Sequence, residues 1–161
     1  MKTDREFMER AIAVALEAER LGNLPIGAVI TIDGEVLTEA GNALLKPVFN
    51  PGRHAEMEAL RRVPPGLWPR SREMTCYSTL EPCVMCFGAL LLHGFGRVVF
   101  GAADTLGGAG MLIDNLPSYY GNRQGVPQWT GPISPEHCDE LFTRSLSAFD
   151  QIPSVGRSIK E

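Results

Sequence analysis

Long apolar runs are missing from this sequence: none approaches the roughly 18 residues that a membrane-spanning helix needs. An excess of positive charge is missing too. Fifteen Lys and Arg stand against nineteen Asp and Glu, giving a net charge of −4 and a pI of about 5.4. That is the wrong sign for a general nucleic-acid binder, whose affinity comes largely from neutralising phosphates. Cysteine is sparse, with four in the chain, so two disulfides are the most it could form. The opening stretch "MKTDREFMERAIAVALEAERLG" carries acids among its apolar positions, which argues against a secretory signal and for a cytoplasmic, reducing location. Closely spaced cysteines then read as metal ligands or a redox motif. The chain has no internal repeat and no low-complexity segment.

What remains is an ordinary globular composition, 44% apolar and 21% charged over 161 residues. It is enough for one domain with a real core, expected over residues 1–150, followed by a tail over 151–161. Thr3 and Glu6 fit a capping box, and Phe7, Ala11, Val14, Ala15, Ala18 and Leu21 repeat at helical spacing up to Gly22. "PIGAVITI" and "EVLTEAG" read as strands joined by the hairpin turn Asp33-Gly34. A loop punctuated by Pro47, Pro51 and Gly52 leads into a helix, "HAEMEALRRV", stopped by Pro64-Pro65. "MTCYSTL" is a strand. "PCVMCFGALLLHG" is an apolar helix with Pro82 suited to its first position and Gly94 after its end. "GRVVFGA" is another buried strand, and a last helix begins at Ser134-Pro135. This alternation predicts helices on both faces of one mixed sheet, with its later strands parallel.

The residues that carry chemistry sit at two helix starts. Cys83 and Cys86, at i and i+3, place two sulfurs on one side of a first turn, where free N–H groups and the helix dipole favour thiolates. His54 and Glu56, at i and i+2, converge only if the site lies at the very start of their helix. His54, Cys83 and Cys86 supply three zinc ligands, whereas a closed structural site usually has four. Cys76, Cys138, His93 and His137 read as a buried or solvated background. Three ligands leave a position for water, whose pKa zinc brings towards neutrality, and a neighbouring carboxylate can move its proton. Glu56 is the candidate; alone it would read as a solvated helix acid like Glu58, but joined to His54 and the Pro-Cys-x-x-Cys start it reads as catalytic.

His54-Ala55-Glu56 and Pro82-Cys83-Val84-Met85-Cys86 match the H-x-E…P-C-x-x-C signature of zinc nucleobase deaminases. With "LGNLPIGAVI", Gly41-Asn42, "HAEMEALR", "STLEPCVMCFGALL" and "RVVFGAADTLGGAG", the chain resembles the tRNA adenosine deaminase branch of the cytidine deaminase-like superfamily, to which cytosine and guanine deaminases are related. The resemblance spans about residues 5 to 116. It implies a three-layer α/β/α sandwich around a five-stranded mixed sheet, and a homodimer. It implies one zinc per chain on His54, Cys83 and Cys86, with water as fourth ligand. It also implies that Glu56 shuttles the proton and that Asn42 hydrogen-bonds the substrate. From its surroundings alone, Asn42 in a Gly-Asn pair after a strand equally suits a turn.

The chain departs from the tRNA-editing pattern in places. Pro51-Gly52-Arg53 stands where those enzymes typically read Pro-Thr-Ala, and the final helix is acidic, with Glu136, Asp139, Glu140 and Asp150 against Arg144. A long stretch, "PSYYGNRQGVPQWTGPIS", offers Tyr119, Tyr120 and Trp129 for base stacking, pocket closure or plain loop packing. Only the arginines between Arg53 and Arg72 offer a basic face. The departures favour deamination of a free base, nucleoside or related small heterocycle, with no membrane partner. The alternative is conversion of adenosine to inosine in a tRNA anticodon loop, and the third class is a non-enzymatic structural zinc module.

Overall fold

The computed structural model describes residues 2–123, 125–150 and 152. The tail expected from residue 151 falls outside the described residues except at position 152. Helix α1 (Asp4–Arg20) opens with the expected capping box between Thr3 and Glu6. Gly22 follows its end with φ +83, a left-handed conformation that costs glycine little. Strands β1 (Gly27–Ile32) and β2 (Glu35–Gly41) form a hairpin. Asp33 and Gly34 both have positive φ, as a two-residue turn that follows strand twist requires.

Helix α2 (Ala55–Leu60), β3 (Thr75–Leu80), α3 (Val84–Leu92) and β4 (Arg97–Ala102) follow. A short α4 (Ser118–Arg123), β5 (Gln128–Thr130) and α5 (Pro135–Phe149) complete the chain. The five strands lie in the order β2-β1-β3-β4-β5. β1 is antiparallel to β2 and β3, while β3, β4 and β5 are mutually parallel. The expected three-layer sandwich on a five-stranded mixed sheet is present.

Alternation along the strands divides the core. Ala28, Ile30 and Cys76 face α2 and α3 in one cluster with Ala59, Leu60 and Leu90. Val29, Tyr77 and Val99 face α1 and α5 in another with Phe7, Met8, Ala11 and Cys138. β1 is buried throughout, which is why it reads as a continuous apolar run. At Gly27 a Cβ would lie 2.1 Å from the carbonyl oxygen of Ala11, so α1 rests on β1 through a glycine.

Two local expectations need correction, and one unread stretch has structure. α2 stops at Leu60, four residues before Pro64; Val63 N–H bonds to the Leu60 carbonyl and a 3-10 segment, Pro65–Glu73, follows the prolines. Pro82 is not in the first helical turn. Cys83 is the N-cap of α3, and the Pro82 carbonyl accepts from Ala109 N–H at 3.0 Å, which holds it against the loop after β4. The Gly/Pro-rich stretch after β4 has structure that no periodicity signalled: a 3-10 segment (Gly110–Asn115), α4 and β5.

Candidate metal and catalytic centre

Both helix starts are built by local chain chemistry. In the loop after β2, Gly52 N–H donates to Asn50 Oδ1 and Arg53 N–H to the Asn50 carbonyl. This side-chain-nucleated turn delivers His54 in extended conformation as the N-cap of α2. Cys83 occupies the same place on α3. Neither side chain caps its own helix, so both are free to turn towards a shared point. Cys86, one turn into α3, is fully buried.

Cys83 Sγ and Cys86 Sγ are 3.8 Å apart, and each lies 3.6 Å from His54 Nδ1. Tetrahedral zinc with Zn–S of about 2.3 Å and Zn–N of about 2.05 Å calls for an S–S spacing of about 3.75 Å and an S–N spacing of about 3.55 Å. The three ligand atoms therefore fit one zinc ion without rearrangement. Cys76, Cys138, His93 and His137 lie outside this cluster among the described residues. Cys76 and Cys138 are core thiols, His93 bonds the Ala89 carbonyl and stacks on Trp68, and His137 is exposed. Among the described residues, the four-ligand structural site that a non-enzymatic module needs does not form.

Electrostatics favour a cation. The Cys86 thiol and His54 beside it hold the Cys83 thiol down to about 4. Sharing that hydrogen bond, together with burial, pushes Cys86 up, and His54 is raised by its hydrogen bond to Cys83. A lowered Cys83 thiol suits metal binding, which requires the thiolate.

Glu56, in the first turn of α2, is buried. Ser78 on β3 donates its hydroxyl to Oε1 at 3.0 Å, and the Cys86 thiol donates to Oε2 at 3.5 Å. Burial pushes its carboxyl up, and the neighbouring His54 pulls the other way. Glu58, two residues on, is not the solvated acid expected: it is nearly buried and ion-paired to Arg53 and Arg61.

His54, Glu56 and Cys83 open onto a cavity of about 800 Å³. Leu24, Ile26, Leu44 and Leu80 form part of its wall, with Phe142 and Leu146 from α5. Its other charged groups are Glu81, Asp104 and Asp150; no Lys or Arg lines it among the described residues. Asn42 lines it too. Asn42 Oδ1 accepts from Leu44 N–H at 3.0 Å, so the turn reading holds for the oxygen. None of Tyr119, Tyr120 and Trp129 lines the cavity. Trp129 packs edge-on against Phe87, and Tyr119 against Tyr120, which is loop packing.

Two residues escaped the sequence reading. Ser78 shares the strand parity of Cys76, and that alternation was the signal that it faces α2. Glu81, just before the Pro-Cys-x-x-Cys start, accepts from Asp104 N–H and Gly110 N–H, each at 3.1 Å, and from Trp129 Nε1 at 3.3 Å. It ties the loop after β4 to the cavity rim, where Cys83 and Gly108 form a bridge.

A layered α/β sandwich whose two helix starts hold a three-ligand zinc centre beside a buried carboxylate defines a class of zinc enzyme. The chain belongs to the cytidine and deoxycytidylate deaminase zinc-binding family, whose model matches residues 1–102. It is 42% identical to the tRNA-specific adenosine deaminase of Bacillus subtilis (strain 168) over 120 residues, 72% of each chain. It is 34% identical to the enzyme of the same name from Aquifex aeolicus (strain VF5) over 111 residues, 68% of this chain and 73% of that one. Among solved structures, one from a study of A-to-I editing by tRNA:A34 deaminases at the wobble position superposes with a TM-score of 0.70 at 28% identity, covering 85% of this chain and 99% of that one. Guanine deaminase from Nitrosomonas europaea gives 0.68 at 18% identity, covering 91% and 86%, a likeness of fold.

Proposed function

We propose that this chain hydrolytically deaminates an adenosine carried in a transfer RNA, giving inosine and ammonia. The observation that carries the chemistry is the set of 3.6, 3.6 and 3.8 Å spacings among His54 and the two cysteines, with Glu56 alongside. The substrate rests on identity of 34% or more to two tRNA-specific adenosine deaminases across at least two thirds of each chain. That support outweighs the sequence-based preference for a free base.

His54, Cys83 and Cys86 hold the zinc ion, which when bound makes water acidic enough to supply hydroxide near neutral pH. Glu56 takes the proton of the attacking water as the C–O bond forms at the amine-bearing carbon. It then protonates the leaving nitrogen as the C–N bond breaks, so one water is consumed and one ammonia leaves. Ser78 holds the carboxylate in place for both transfers. The amide nitrogen of Asn42, a residue of the cavity wall, donates to the substrate. The apolar wall from Leu44, Phe142 and Leu146 receives the ring faces and keeps bulk water out.

A free nucleobase or nucleoside is the second reading, and one observation favours it: an acid-lined cavity with no Lys or Arg among the described residues disfavours a phosphate. The unit over residues 1–150 acts as one domain, in the cytoplasm, as a homodimer. Val84 and Leu92 on α3, at 60% and 62% exposure, and Met111, at 79%, support a second copy on that side. The test is a screen of zinc-loaded protein against a wobble-adenosine anticodon stem-loop, adenine, guanine, cytosine and their nucleosides. Inosine in the stem-loop is the expected product; ammonia from a free base or nucleoside with none from the RNA would install the second reading.

A further inference from the structure

A second cavity, of about 710 Å³, lies between α1, β2 and the loop that delivers His54, and Asn42 lines both cavities. The two differ sharply in charge. Arg10, Lys46, Arg53 and Arg62 line the second one, together with Glu17, Glu39 and Glu58. Two of these carboxylates are consumed by neighbours: Glu39 is held at both oxygens by Arg10, and Glu17 by Arg20. Glu58, 6% exposed, is shared between Arg53 and Arg61. Arg62 donates to the backbone carbonyl of Glu39 and acts on Glu58 through charge alone, and Lys46 has no hydrogen-bonded or ion-paired carboxylate among the described residues. With their pairing partners counted, six cations meet three carboxylates here, in a chain of net charge −4.

An arginine cluster on a helix and loop is ordinarily a solvated face. This one is concave, and one of its arginines, Arg53, is held by the nearly buried carboxylate of Glu58. Burying Glu58 costs desolvation free energy that a solvated face would not require. The return is the Arg53 guanidinium held in a fixed orientation at the cavity wall, the form in which arginine recognises phosphate.

We infer that this second cavity binds a backbone phosphate of the RNA next to the nucleotide whose base enters the zinc cavity. The inference rests on the reading of an RNA adenosine substrate. The acid-lined zinc cavity turns phosphate away, and the cavity across Asn42 attracts it. Each phosphate neutralised on a single strand contributes a salt dependence of about −0.7 in the logarithmic slope. Arg62 and Lys46, which form no salt bridge among the described residues, carry the contact, and Arg53 frames it.

The test compares wild type, Lys46→Ala, Arg62→Ala, Arg62→Lys and the double alanine variant, all zinc-loaded. The substrates are the wobble-adenosine stem-loop, adenosine and adenosine 5′-monophosphate, with KCl raised stepwise. For the stem-loop, the double alanine variant should lose about tenfold in kcat/KM near physiological salt, and its salt slope should flatten by about 0.7 to 1.4 for one or two contacts. Adenosine turnover should not change, and Arg62→Lys should keep most of the slope. Lys46→Ala removes no hydrogen bond of its side chain, so it remains informative if Arg62→Ala destabilises the fold. Wild-type slopes in every variant, with the stem-loop still deaminated, would overturn the phosphate site and leave the proposed function standing. If the stem-loop is inert but the monophosphate outruns adenosine, and the variants abolish that preference, the site holds a mononucleotide phosphate and the RNA reading fails instead.

Discussion

The Ser78 hydroxyl donates to Glu56 Oε1 at 3.0 Å, joining the end of β3 to the first turn of α2 inside the candidate centre. This bond favours the ionised carboxylate against the burial that disfavours it. Ser78→Ala should therefore lower kcat roughly tenfold, the scale of one hydrogen bond to a charged group. In the proposed mechanism Glu56 is unprotonated for the first proton transfer, and losing the bond raises its pKa. The acid limb of the pH–rate profile should move to higher pH, and an unmoved limb would assign Ser78 to packing alone.

Cys83→Ala removes one corner of the ligand triangle, leaving Cys86 and His54. Zinc measured by mass spectrometry should fall from about one ion per chain to near zero, with activity lost alongside. Full zinc content in the variant would show that the 3.6 and 3.8 Å spacings do not describe the metal site.

Glu81→Gln tests the anchor of the loop after β4. A carboxylate accepts at both oxygens, from Asp104 N–H on one side and Gly110 N–H with Trp129 Nε1 on the other. An amide must turn its own N–H groups towards one of these donors, at a cost of about 1–3 kcal/mol. Hydrogen exchange over residues 103–110 should speed up and KM should rise, with zinc content unchanged. Unchanged exchange in that loop would refute the anchoring role.

How much of this was legible in the sequence depended on whether the signal was local. The capping box, the Asp33-Gly34 turn and the buried strand β1 are short-range patterns, and each appears where its residues predict. The ligands were legible because helix starts and the i, i+3 spacing fix their direction. The partner of Glu56 was not, since Ser78 reaches it from 22 residues away through tertiary packing; the Glu58 pairs with Arg53 and Arg61 are local, but the burial that gives them weight is not. β5 was hidden for another reason: three residues paired parallel to β4 are too few to show alternation. The loop-packing role of Trp129 was one of the options the residues left open, and only the ring contacts with Phe87 and Phe100 decide it.

Asp4 ties α1 to the sheet, receiving Arg97 at both oxygens at 2.6 Å and the Tyr77 hydroxyl at 2.7 Å. The hydrogen bond from Arg97 holds its carboxyl below the ordinary carboxylate value, against partial burial. A depressed pKa means the folded state prefers the ionised form. The stabilisation is present above the unfolded-state value near 4 and fades as pH falls through the folded-state value. Asp4→Asn should cost about 1 kcal/mol near pH 7 after allowing for solvent screening. The gap in melting temperature from wild type should narrow as pH drops below about 4; a gap independent of pH would contradict the ion-pair account.

The central claim is that Glu56 moves the proton at a zinc held by His54, Cys83 and Cys86 while an RNA adenosine is deaminated. The most direct measurement is single-turnover inosine formation in a wobble-adenosine stem-loop by zinc-loaded wild type and Glu56→Gln, with zinc quantified in both. The account predicts full conversion by wild type. The variant should bind the RNA, retain one zinc per chain and turn over at least 10²-fold more slowly, as expected for loss of a positioned acid–base. Comparable rates in the two proteins at equal zinc content would contradict it.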